Sequence, residues 1–326
     1  MKAIVGIDIA KEKFDVCLLD ENNESHFEEF ANSKSGINRF HQWLKKRDAK
    51  QAHLCLEATG IYGDLLAETM FKRGYDVSVV NPARIKSYAR SQMIRNKTDR
   101  IDASVIADFC RTQELMLWEP PSPQLKELKA LVRHYETLIQ EKVRVQNRLS
   151  SKQNNAVVKR QLTAQLSLIK KQIDEILSAI KEHINKHSDL KQQDELLKSI
   201  PGIRDITSFR LLGELGDIRR FDNVRQVVAF IGINPRQHQS GKRYFTQGIS
   251  RMGRRELRAA LFLPAMTARH RDSNFAAFAK RLEAKQLKFK QVIVAVMRKL
   301  IHVVYGVLKS GKAYDPHFND RMPVAA

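Results

Sequence analysis

Two short runs near the N-terminus, Ala3-Ile4-Val5-Gly6-Ile7-Asp8-Ile9 and Lys13-Phe14-Asp15-Val16-Cys17-Leu18-Leu19-Asp20, decide how the first part of the chain folds. Both are rich in aliphatic and β-branched residues, which predicts two strands joined by a tight turn. Glu21-Asn22-Asn23-Glu24 is a second turn signal and leads into a third strand near residues 25–30. The chain therefore opens with three strands that hairpin turns would pair antiparallel.

Helical and strand patterns alternate in the residues that follow. Helices are predicted at about 35–47, 61–73, 82–90 and 99–113, and buried-type strands at 53–57 and 76–80. Three antiparallel-type strands followed by two strand–helix units is the order of a ribonuclease-H-like α/β domain. Glu119-Pro120-Pro121-Ser122-Pro123 then interrupts the chain. We therefore expect a domain boundary there and assign residues 1–120 to this domain.

The next part of the chain, residues 121–192, is predicted to be a charged helical arm. A heptad seam is indicated by apolar residues at alternating steps of four and three, namely Leu162, Leu166, Ile169, Ile173, Ile176 and Ile180. The polar run Ser150-Ser151-Lys152-Gln153-Asn154-Asn155 suits the tip of a helical hairpin. Two packed helices within one chain and a coiled-coil arm for dimerisation fit this pattern equally, because a seam does not specify its partner.

The last part, residues 193–326, is predicted to be a mainly helical C-terminal domain. Leu196-Leu197-Lys198-Ser199-Ile200-Pro201-Gly202-Ile203, followed by a helical run at 207–215, is typical of a helix-hairpin-helix. The backbone N–H groups of such a turn would face a phosphate, although Pro-Gly turns are also common in purely structural settings. Residues 234–253 are Gly-rich and polar, and further helices are expected at about 254–271 and 287–308.

The composition points to a polyanionic partner. The 326 residues have a formal net charge of +21 and a pI of about 10.0. Lys and Arg that neutralise phosphates release counterions, which favours nucleic-acid binding, although a merely basic protein has the same composition. Cys17, Cys55 and Cys110 lie far apart in apolar surroundings, which suits reduced core thiols. With no signal-peptide core and no apolar run of membrane-spanning length, we expect a cytoplasmic protein.

Four carboxylates in the N-terminal region form the first candidate site. Asp8 lies within an apolar strand, Glu57 ends another strand, and Asp99 and Asp102 are spaced to share one helix face. An acid inside such an apolar strand is awkward to bury without a functional reason. Oxygen ligands suit Mg²⁺, and paired divalent ions can activate an attacking oxygen and stabilise a leaving one. A single acid is more often a surface residue or a cap, so the prediction depends on the group.

The second candidate site is Pro235-Arg236-Gln237-His238-Gln239-Ser240-Gly241-Lys242-Arg243. A serine on a flexible loop can attack a phosphodiester while nearby cations stabilise the transition state. The competing interpretation is that the Ser-Gly pair is only a turn, that the basic run only binds phosphate, and that His238 is a bystander. The candidate nucleic-acid-binding residues are Arg236, Lys242, Arg243, Arg251 and Arg254.

Taken together, the motifs resemble those of the DEDD transposases of the insertion-sequence-110 family. The resemblance covers nearly the whole chain in order. Its motifs are Gly6-Ile7-Asp8, Leu56-Glu57-Ala58-Thr59-Gly60-Ile61-Tyr62, Lys97-Thr98-Asp99-Arg100-Ile101-Asp102-Ala103, Ile200-Pro201-Gly202-Ile203, Ser240-Gly241 and Gly248-Ile249-Ser250-Arg251-Met252-Gly253. It implies a RuvC-like N-terminal domain, a coiled coil and a C-terminal transposase domain.

The resemblance also implies a chemistry and a set of partners. By position, Asp8, Glu57, Asp99 and Asp102 would hold Mg²⁺, with Mn²⁺ as a possible substitute, and Ser240 would form a covalent phosphoserine link to DNA. Family members resemble RNA-guided enzymes, in which a structured bridge RNA pairs with donor and target DNA. They assemble as homo-oligomers, dimers or tetramers, in which the acids of one subunit meet the serine of another. The implied location is the nucleoid of a bacterial or archaeal cytoplasm.

Three other functions are compatible with parts of the sequence. Actin-like and sugar-kinase ATPases share the opening Gly6-Ile7-Asp8-Ile9, but the Asp-x-Gly-Gly phosphate loop that they need later in the chain is missing. A metal-only nuclease of the RuvC type would use water as the nucleophile and leave Ser240 to bind phosphate. A non-catalytic nucleic-acid-binding protein with a degenerate nuclease fold would be indifferent to changes at Asp8 or Asp102.

Overall fold

The N-terminal part of the chain is built on a five-stranded sheet. The computed structural model describes residues 2–58, 60, 62–151, 155–240 and 243–317, with the backbone alone at 237–240 and 243–247. The strands are β1 (Ile4–Ile9), β2 (Lys13–Leu19), β3 (Ser25–Ala31), β4 (His53–Glu57) and β5 (Asp76–Val80). Their order is β3-β2-β1-β4-β5, and β1 pairs antiparallel with β2 and parallel with β4. This arrangement confirms the predicted ribonuclease-H-like α/β fold.

Helices cover both faces of this sheet. They are α1 (Lys34–Lys46), α2 (Asp64–Lys72), α3 (Pro82–Ser91) and α4 (Asp99–Thr112). The first face buries Val5 and Ile7 in one cluster with residues of α1 and α2, such as Phe40 and Leu66. The other face meets α3 and α4. Helix α2 begins at Asp64 rather than at the predicted residue 61, and Gly63 is its N-cap.

The closest contact between α4 and the sheet lies at Gly6 of β1. A Cβ atom added to Gly6 would stand 2.2 Å from both the carbonyl oxygen of Ala103 and the backbone nitrogen of Ala107. Ala103 and Ala107 lie one helical turn apart on the same face of α4 and are themselves fully buried. Small residues on both elements therefore let the helix backbone rest directly on the central strand.

The helical arm is an antiparallel hairpin of α5 (Pro123–Leu149) and α6 (Ala156–Lys186). The buried seam residues of α6, including Leu162, Ile173 and Ile180, share one apolar cluster with Leu128 and Tyr135 of α5. At the far end of the hairpin, the ring Nε2 of His183 lies 2.9 Å from the carbonyl oxygen of Gln124. The sequence left two interpretations of the seam open. In the structure, the seam of α6 packs against α5 of the same chain.

The rest of the chain is mainly helical. Its elements are α7 (Ser188–Lys198), α8 (Asp205–Leu215), α9 (Val224–Ile231), β6 (Pro235–Ser240), β7 (Arg243–Ile249), α10 (Arg255–Arg271), α11 (Ser273–Ala284) and α12 (Phe289–Ser310). Gly202 turns the chain between α7 and α8 with a φ of +89°, and whether this turn binds phosphate as a helix-hairpin-helix stays a prediction. Contacts divide the chain into two compact units, Met1–Pro120 and Pro121–Ala326, so the arm belongs to the second unit. A separate boundary near residue 192 stays a prediction.

Two sequence-based expectations for this unit were wrong. The segment 234–253 is not simply a flexible loop, because β6 and β7 pair antiparallel within it. The expectation that no apolar run has membrane-spanning length was also wrong. By length and composition alone, the helix Phe289–Ser310 could cross a membrane. That helix instead buries Val292, Val296 and Leu300 in the apolar cluster that it shares with α7–α11.

Replacing Gly6 with Ala tests whether the fit of α4 on β1 limits stability. The added methyl group meets helix backbone that cannot rotate away, so we expect the N-terminal unit to lose about 3 kcal/mol or more of unfolding free energy. The measurement is urea unfolding followed by tryptophan fluorescence. Both tryptophans of the chain, Trp43 and Trp118, lie in this unit, so the signal reports its unfolding alone.

Gly74→Ala is the matched control. Unlike Gly6, Gly74 has a positive φ, +85°, but a Cβ added there would meet no atom within 4 Å. The Gly74→Ala variant should therefore lose only the cost of backbone strain, about 1 kcal/mol of unfolding free energy. Equal losses for the two variants would contradict the steric argument at Gly6.

Candidate functional site

The sheet places Asp8 and Glu57 side by side. Parallel pairing joins Gly6 to Cys55 and Ile7 to Leu56, so the next positions along the two strands are Asp8 and Glu57. Alternation along a strand puts Asp8 on the face of Gly6, which is the face that α4 covers. Both acids therefore lie at the C-terminal ends of adjacent parallel strands, under the beginning of α4.

The first turn of α4 supplies the other two acids. Thr98 caps the helix, because its Oγ1 accepts a hydrogen bond from the backbone N–H of Ile101 at 3.2 Å. Asp99 and Asp102 follow in the first turn, where the helix dipole favours negative charge. Since Ala103 rests on Gly6, two residues before Asp8 in the strand, this turn lies over the end of β1.

The carboxylates interact strongly enough to change one another's protonation. Burial and, in decreasing order, the negative charges of Asp102, Glu57, Asp99 and Asp15 together raise the pKa of Asp8 to about 6. The pKa of Glu57 is raised by burial and then by Asp102. Burial also raises the pKa of Asp102, against the opposing effect of Lys97, whose Nζ lies 3.8 Å from Oδ2 of Asp102. The four predicted acids are thus brought together.

This donor set fits a divalent metal ion. Half-buried carboxylates that raise one another's pKa form a site with more negative charge than its own cations neutralise. Carboxylate oxygens are the ligands that hard divalent cations such as Mg²⁺ prefer. Asp8, Glu57 and Asp102 would supply such oxygens from two strands and a helix, and Asp99 lies beside them in the same helical turn.

Three further charged residues on this face were missed from the sequence. Asp15 is the cross-strand partner of Asp8, and Glu29 is in turn the partner of Asp15. Lys13 Nζ lies 3.3 Å from Asp15, 2.6 Å from Glu29 and 3.0 Å from Asp99, and these contacts raise its pKa. Alternation places Lys13 and Asp15 on the same face of β2. That alternation could have indicated the face, but only the strand register shows that the row of acids continues across the sheet.

A tighter group of acidic and histidine ligands occurs at the β2–β3 turn and has a structural explanation. The ligand atoms of Asp20, Glu24 and His26 all lie within 4.8 Å of one another. Asp20 Oδ1 accepts hydrogen bonds from the backbone N–H groups of Asn22 and Glu24, and His26 Nε2 lies 3.0 Å from Asp20 Oδ2. These bonds close the turn, which accounts for the cluster.

Ser240 lies in the second compact unit, at the end of β6. Its backbone pairs with Arg243 across the β6–β7 hairpin. The side chains of Ser240, Arg243 and His238, and the whole of Lys242, lie outside the described residues. The predicted nucleophile and its nearest basic neighbours therefore stay predictions.

The other predicted basic residues of this unit differ in their surroundings. Arg236 and Arg251 are exposed. Arg254 lies over the ring of Phe230, 5.7 Å from its centroid, and its Nε lies 3.7 Å from Oε2 of the buried Glu214. Arg254 thus has internal partners that the sequence did not indicate, while its contact with nucleic acid stays a prediction.

Comparison with known proteins gives similarities along nearly the whole chain. A DEDD transposase model of IS110 type matches residues 5–157, and a model described as transposase, IS116/IS110/IS902 family, matches residues 194–280. A pilin gene-inverting protein of Moraxella bovis is 34% identical over 98% of this chain and 99% of its own length. The transposase for insertion sequence element IS1111A of Coxiella burnetii is 24% identical over 79% of this chain and 75% of its own.

Solved structures with detectable similarity include Thermus thermophilus RuvC. One is a complex with a Holliday junction substrate, 13% identical, covering 36% of this chain and 100% of that chain with a TM-score of 0.28. A second RuvC structure gives the same TM-score at 14% identity.

The raised pKa of Asp8 predicts that Asp8→Asn changes stability in a pH-dependent way. The native pKa of about 6 exceeds the ordinary value of 3.8, so a protonated Asp8 is favoured by folding. That contribution is fully present below 3.8 and is lost as the pH rises through about 6. In metal-free protein, Asp8→Asn should therefore be more stable than wild type at pH 8 and nearly equal to it at pH 4.

Urea unfolding followed by tryptophan fluorescence at the two pH values measures this difference. Glu114→Gln is the control, because Glu114 is exposed and lies away from the cluster, and it should show no such pH-dependent gain. A stability gain for Asp8→Asn that is the same at both pH values would contradict the assigned cause.

Lys13→Met removes the cation that the acids of this face share. Repulsion among Asp15, Glu29 and Asp99 should then lower the melting temperature of the metal-free protein, and excess Mg²⁺ should restore more of it than it adds to wild type. Thermal unfolding with and without MgCl₂ measures both effects. Lys2→Met breaks an exposed pair with Asp76 and is the control. An equal response to Mg²⁺ in both variants would contradict a role for Lys13 at the acidic cluster.

Proposed function

The chain belongs to the DEDD transposases of the insertion-sequence-110 family, and we propose that it cleaves, exchanges and rejoins DNA strands through a serine nucleophile assisted by divalent metal. Membership establishes a DNA transposase or recombinase: two family models match, and a 34% identical relative spans 98% of the chain. The observation that carries the proposed chemistry is the mutual repulsion of Asp8, Glu57 and Asp102 at one edge of the sheet.

The acids have the first role in the proposed mechanism. Asp8, Glu57, Asp99 and Asp102 would hold divalent metal, for which we propose Mg²⁺ with Mn²⁺ as a substitute. The bound metal would supply a Lewis acid that neutralises charge on the scissile phosphate. Asp8 must be ionised to bind it, and Lys97 beside Asp102 would offset part of the remaining negative charge. Two strands and one helix turn hold these groups, so the site is positioned before DNA arrives.

Ser240 has the second role. Its Oγ would attack the scissile phosphorus, forming a P–Oγ bond as the bond from phosphorus to one deoxyribose oxygen breaks. The serine proton passes to solvent, and the departing oxygen takes up a proton to become a hydroxyl. A hydroxyl from the exchanged strand then attacks the same phosphorus and releases the serine. One phosphoester bond replaces another at each step, so rejoining needs no ATP.

The partners follow from the same proposal. Donor and target DNA are the substrates, and a structured bridge RNA would supply target choice. The surplus of Lys and Arg, 57 against 36 acidic residues, suits binding of both nucleic acids. We propose a homo-oligomer, dimer or tetramer, in which the acids of one subunit act with Ser240 of another. The site of action would be the nucleoid in the cytoplasm of a bacterial or archaeal cell.

A second candidate is inversion of a DNA segment. It is favoured by the pilin gene-inverting relative, whose similarity extends over 98% of this chain, against 79% for the IS1111A transposase. Inversion and transposition use the same cleavage and rejoining steps and differ in which two sites are joined. The DNA products distinguish them: inversion keeps both sites on one molecule, whereas transposition moves a segment to another.

The covalent intermediate is the direct test. Purified protein, its cognate RNA, Mg²⁺ and labelled donor and target DNA are incubated, and a denaturation-resistant protein–DNA adduct is sought. We expect the adduct in wild type and its loss in both Ser240→Ala and Asp102→Asn, because attack needs the hydroxyl and the metal ligand. DNA binding, measured in parallel, should persist in Ser240→Ala.

Two outcomes would contradict the proposal. Cleavage without an adduct that survives Ser240→Ala would indicate a RuvC-type nuclease in which water attacks. Salt-sensitive binding with no cleavage, unchanged in Asp102→Asn, would indicate a non-catalytic nucleic-acid-binding protein.

A further inference from the structure

We propose that residues 82–98, the basic strap, bind the phosphodiester backbone of the DNA strand that enters the acidic cluster. The inference rests on the proposed function, because it takes DNA as the substrate of that cluster. The strap contains five basic residues and neither Asp nor Glu: Arg84, Lys86, Arg90, Arg95 and Lys97. The acid-free stretch in fact extends from Val77 to Thr98.

Both ends of the strap are fixed beside the acids. It begins directly after β5, whose Val80 is the cross-strand partner of Glu57. It ends at Thr98, which caps α4 immediately before Asp99. Between these ends the strap has no acidic residue of its own, so a positively charged segment lies directly beside the negatively charged cluster.

Packing on α4 fixes the middle of the strap. Ile85 is buried, and the ring of Tyr88 lies 5.3 Å from the ring of Phe109 in an edge-to-face arrangement. The Tyr88 hydroxyl donates a hydrogen bond to Asp108 at 2.5 Å. One side of the strap therefore packs on α4, while Lys86, Arg90 and Arg95 remain exposed.

The strap's cations are largely uncompensated. Arg84 lies over the ring of Phe109, and Lys97 stands 3.8 Å from Asp102. Lys86, Arg90 and Arg95 are exposed, and none of them forms an ion pair with another described residue. Exposed cations without acidic partners favour a negatively charged ligand. Their position beside the acids favours a ligand that also reaches the acidic cluster.

A DNA strand is such a ligand. Its phosphates would be repelled by the carboxylates that hold the metal, and cations alongside would offset that repulsion. Each phosphate neutralised by Lys or Arg also releases counterions, and the Arg guanidinium forms bidentate bonds to phosphate oxygens. The strap thus supplies the attraction that the cluster itself lacks.

The tip of the strap favours a nucleic acid over an acidic peptide. Met93, with a φ of +54°, is 82% exposed, and Ile94 next to it is 40% exposed. Apolar side chains between cations suit the faces of unstacked bases, which an acidic peptide does not offer. We therefore commit to DNA, and make the other partners outcomes of the test.

The experiment compares two triple variants of the full-length protein. Lys86→Gln with Arg90→Gln and Arg95→Gln neutralises the strap. Arg39→Gln with Lys45→Gln and Lys46→Gln removes the same charge from exposed positions of α1, on the opposite face of the same sheet. Binding to labelled single-stranded and double-stranded DNA, to RNA and to an acidic peptide is measured over a range of salt concentrations.

We expect the strap variant to bind single-stranded DNA about tenfold more weakly, with a salt dependence reduced by about two phosphate contacts. The α1 variant should stay within about twofold of wild type. In addition, a photo-crosslinker on Met93→Cys should label DNA, and one on Lys45→Cys should not. The three native cysteines are buried, so the new thiol alone reacts.

Three results would overturn the proposal: equal losses in the two triple variants, a loss confined to RNA or to the acidic peptide, or no crosslink from residue 93. These readouts are independent of the covalent adduct. Wild type that forms no adduct but loses DNA binding in the strap variant would reject the serine mechanism and support the strap. Wild type that forms the adduct, combined with unchanged DNA binding in the strap variant, would support the serine mechanism and reject the strap.

Discussion

The N-terminal site depends on the direct contact between α4 and the backbone of β1 at Gly6. A side chain there would meet the backbone of Ala103 and Ala107 at 2.2 Å, so the helix can rest on the strand only because three adjoining positions are small. That contact sets the height of the first turn of α4 above the sheet, and with it the position of Asp99 and Asp102 over Asp8. A bulkier contact would leave the fold recognisable but would separate the strand acids from the helix acids.

The same contact creates an electrostatic cost. Burial of Asp8, together with repulsion from acids of two strands and a helix, raises the pKa of Asp8 to about 6. Lys13, shared by Asp15, Glu29 and Asp99, offsets part of that repulsion within the domain, and Lys97 does so near Asp102. Stability and function therefore oppose each other here, as is usual where a site must attract a cation.

The sequence predicts the strands and helices of the first domain well, because its apolar periodicity and its turn residues agree. Asp8 was identified since an acid in an apolar strand contradicts the local pattern. Asp15 was missed because its importance comes from cross-strand register, which a single sequence does not contain. The start of α2 was placed at 61 instead of Asp64, because the N-cap residue Gly63 has no side chain that would mark the beginning of a helix. The strands at 235–249 were missed because Gly and polar residues indicated a loop.

The packing of the arm limits how subunits can assemble. The seam of α6 was equally compatible with an internal partner and with a second chain, and in the structure Leu162, Ile173 and Ile180 are buried in one cluster with α5. A seam that is already covered cannot also be the main contact between subunits without opening the hairpin, which would expose this apolar surface to water. In the described part of the hairpin, the exposed large apolar residues are Val143, Val157, Val158 and Leu168, and only Val157 and Val158 are neighbours in sequence. An assembly that brings the acids of one subunit to Ser240 of another must therefore draw on surfaces outside the seam, or on the nucleic acids that both subunits bind.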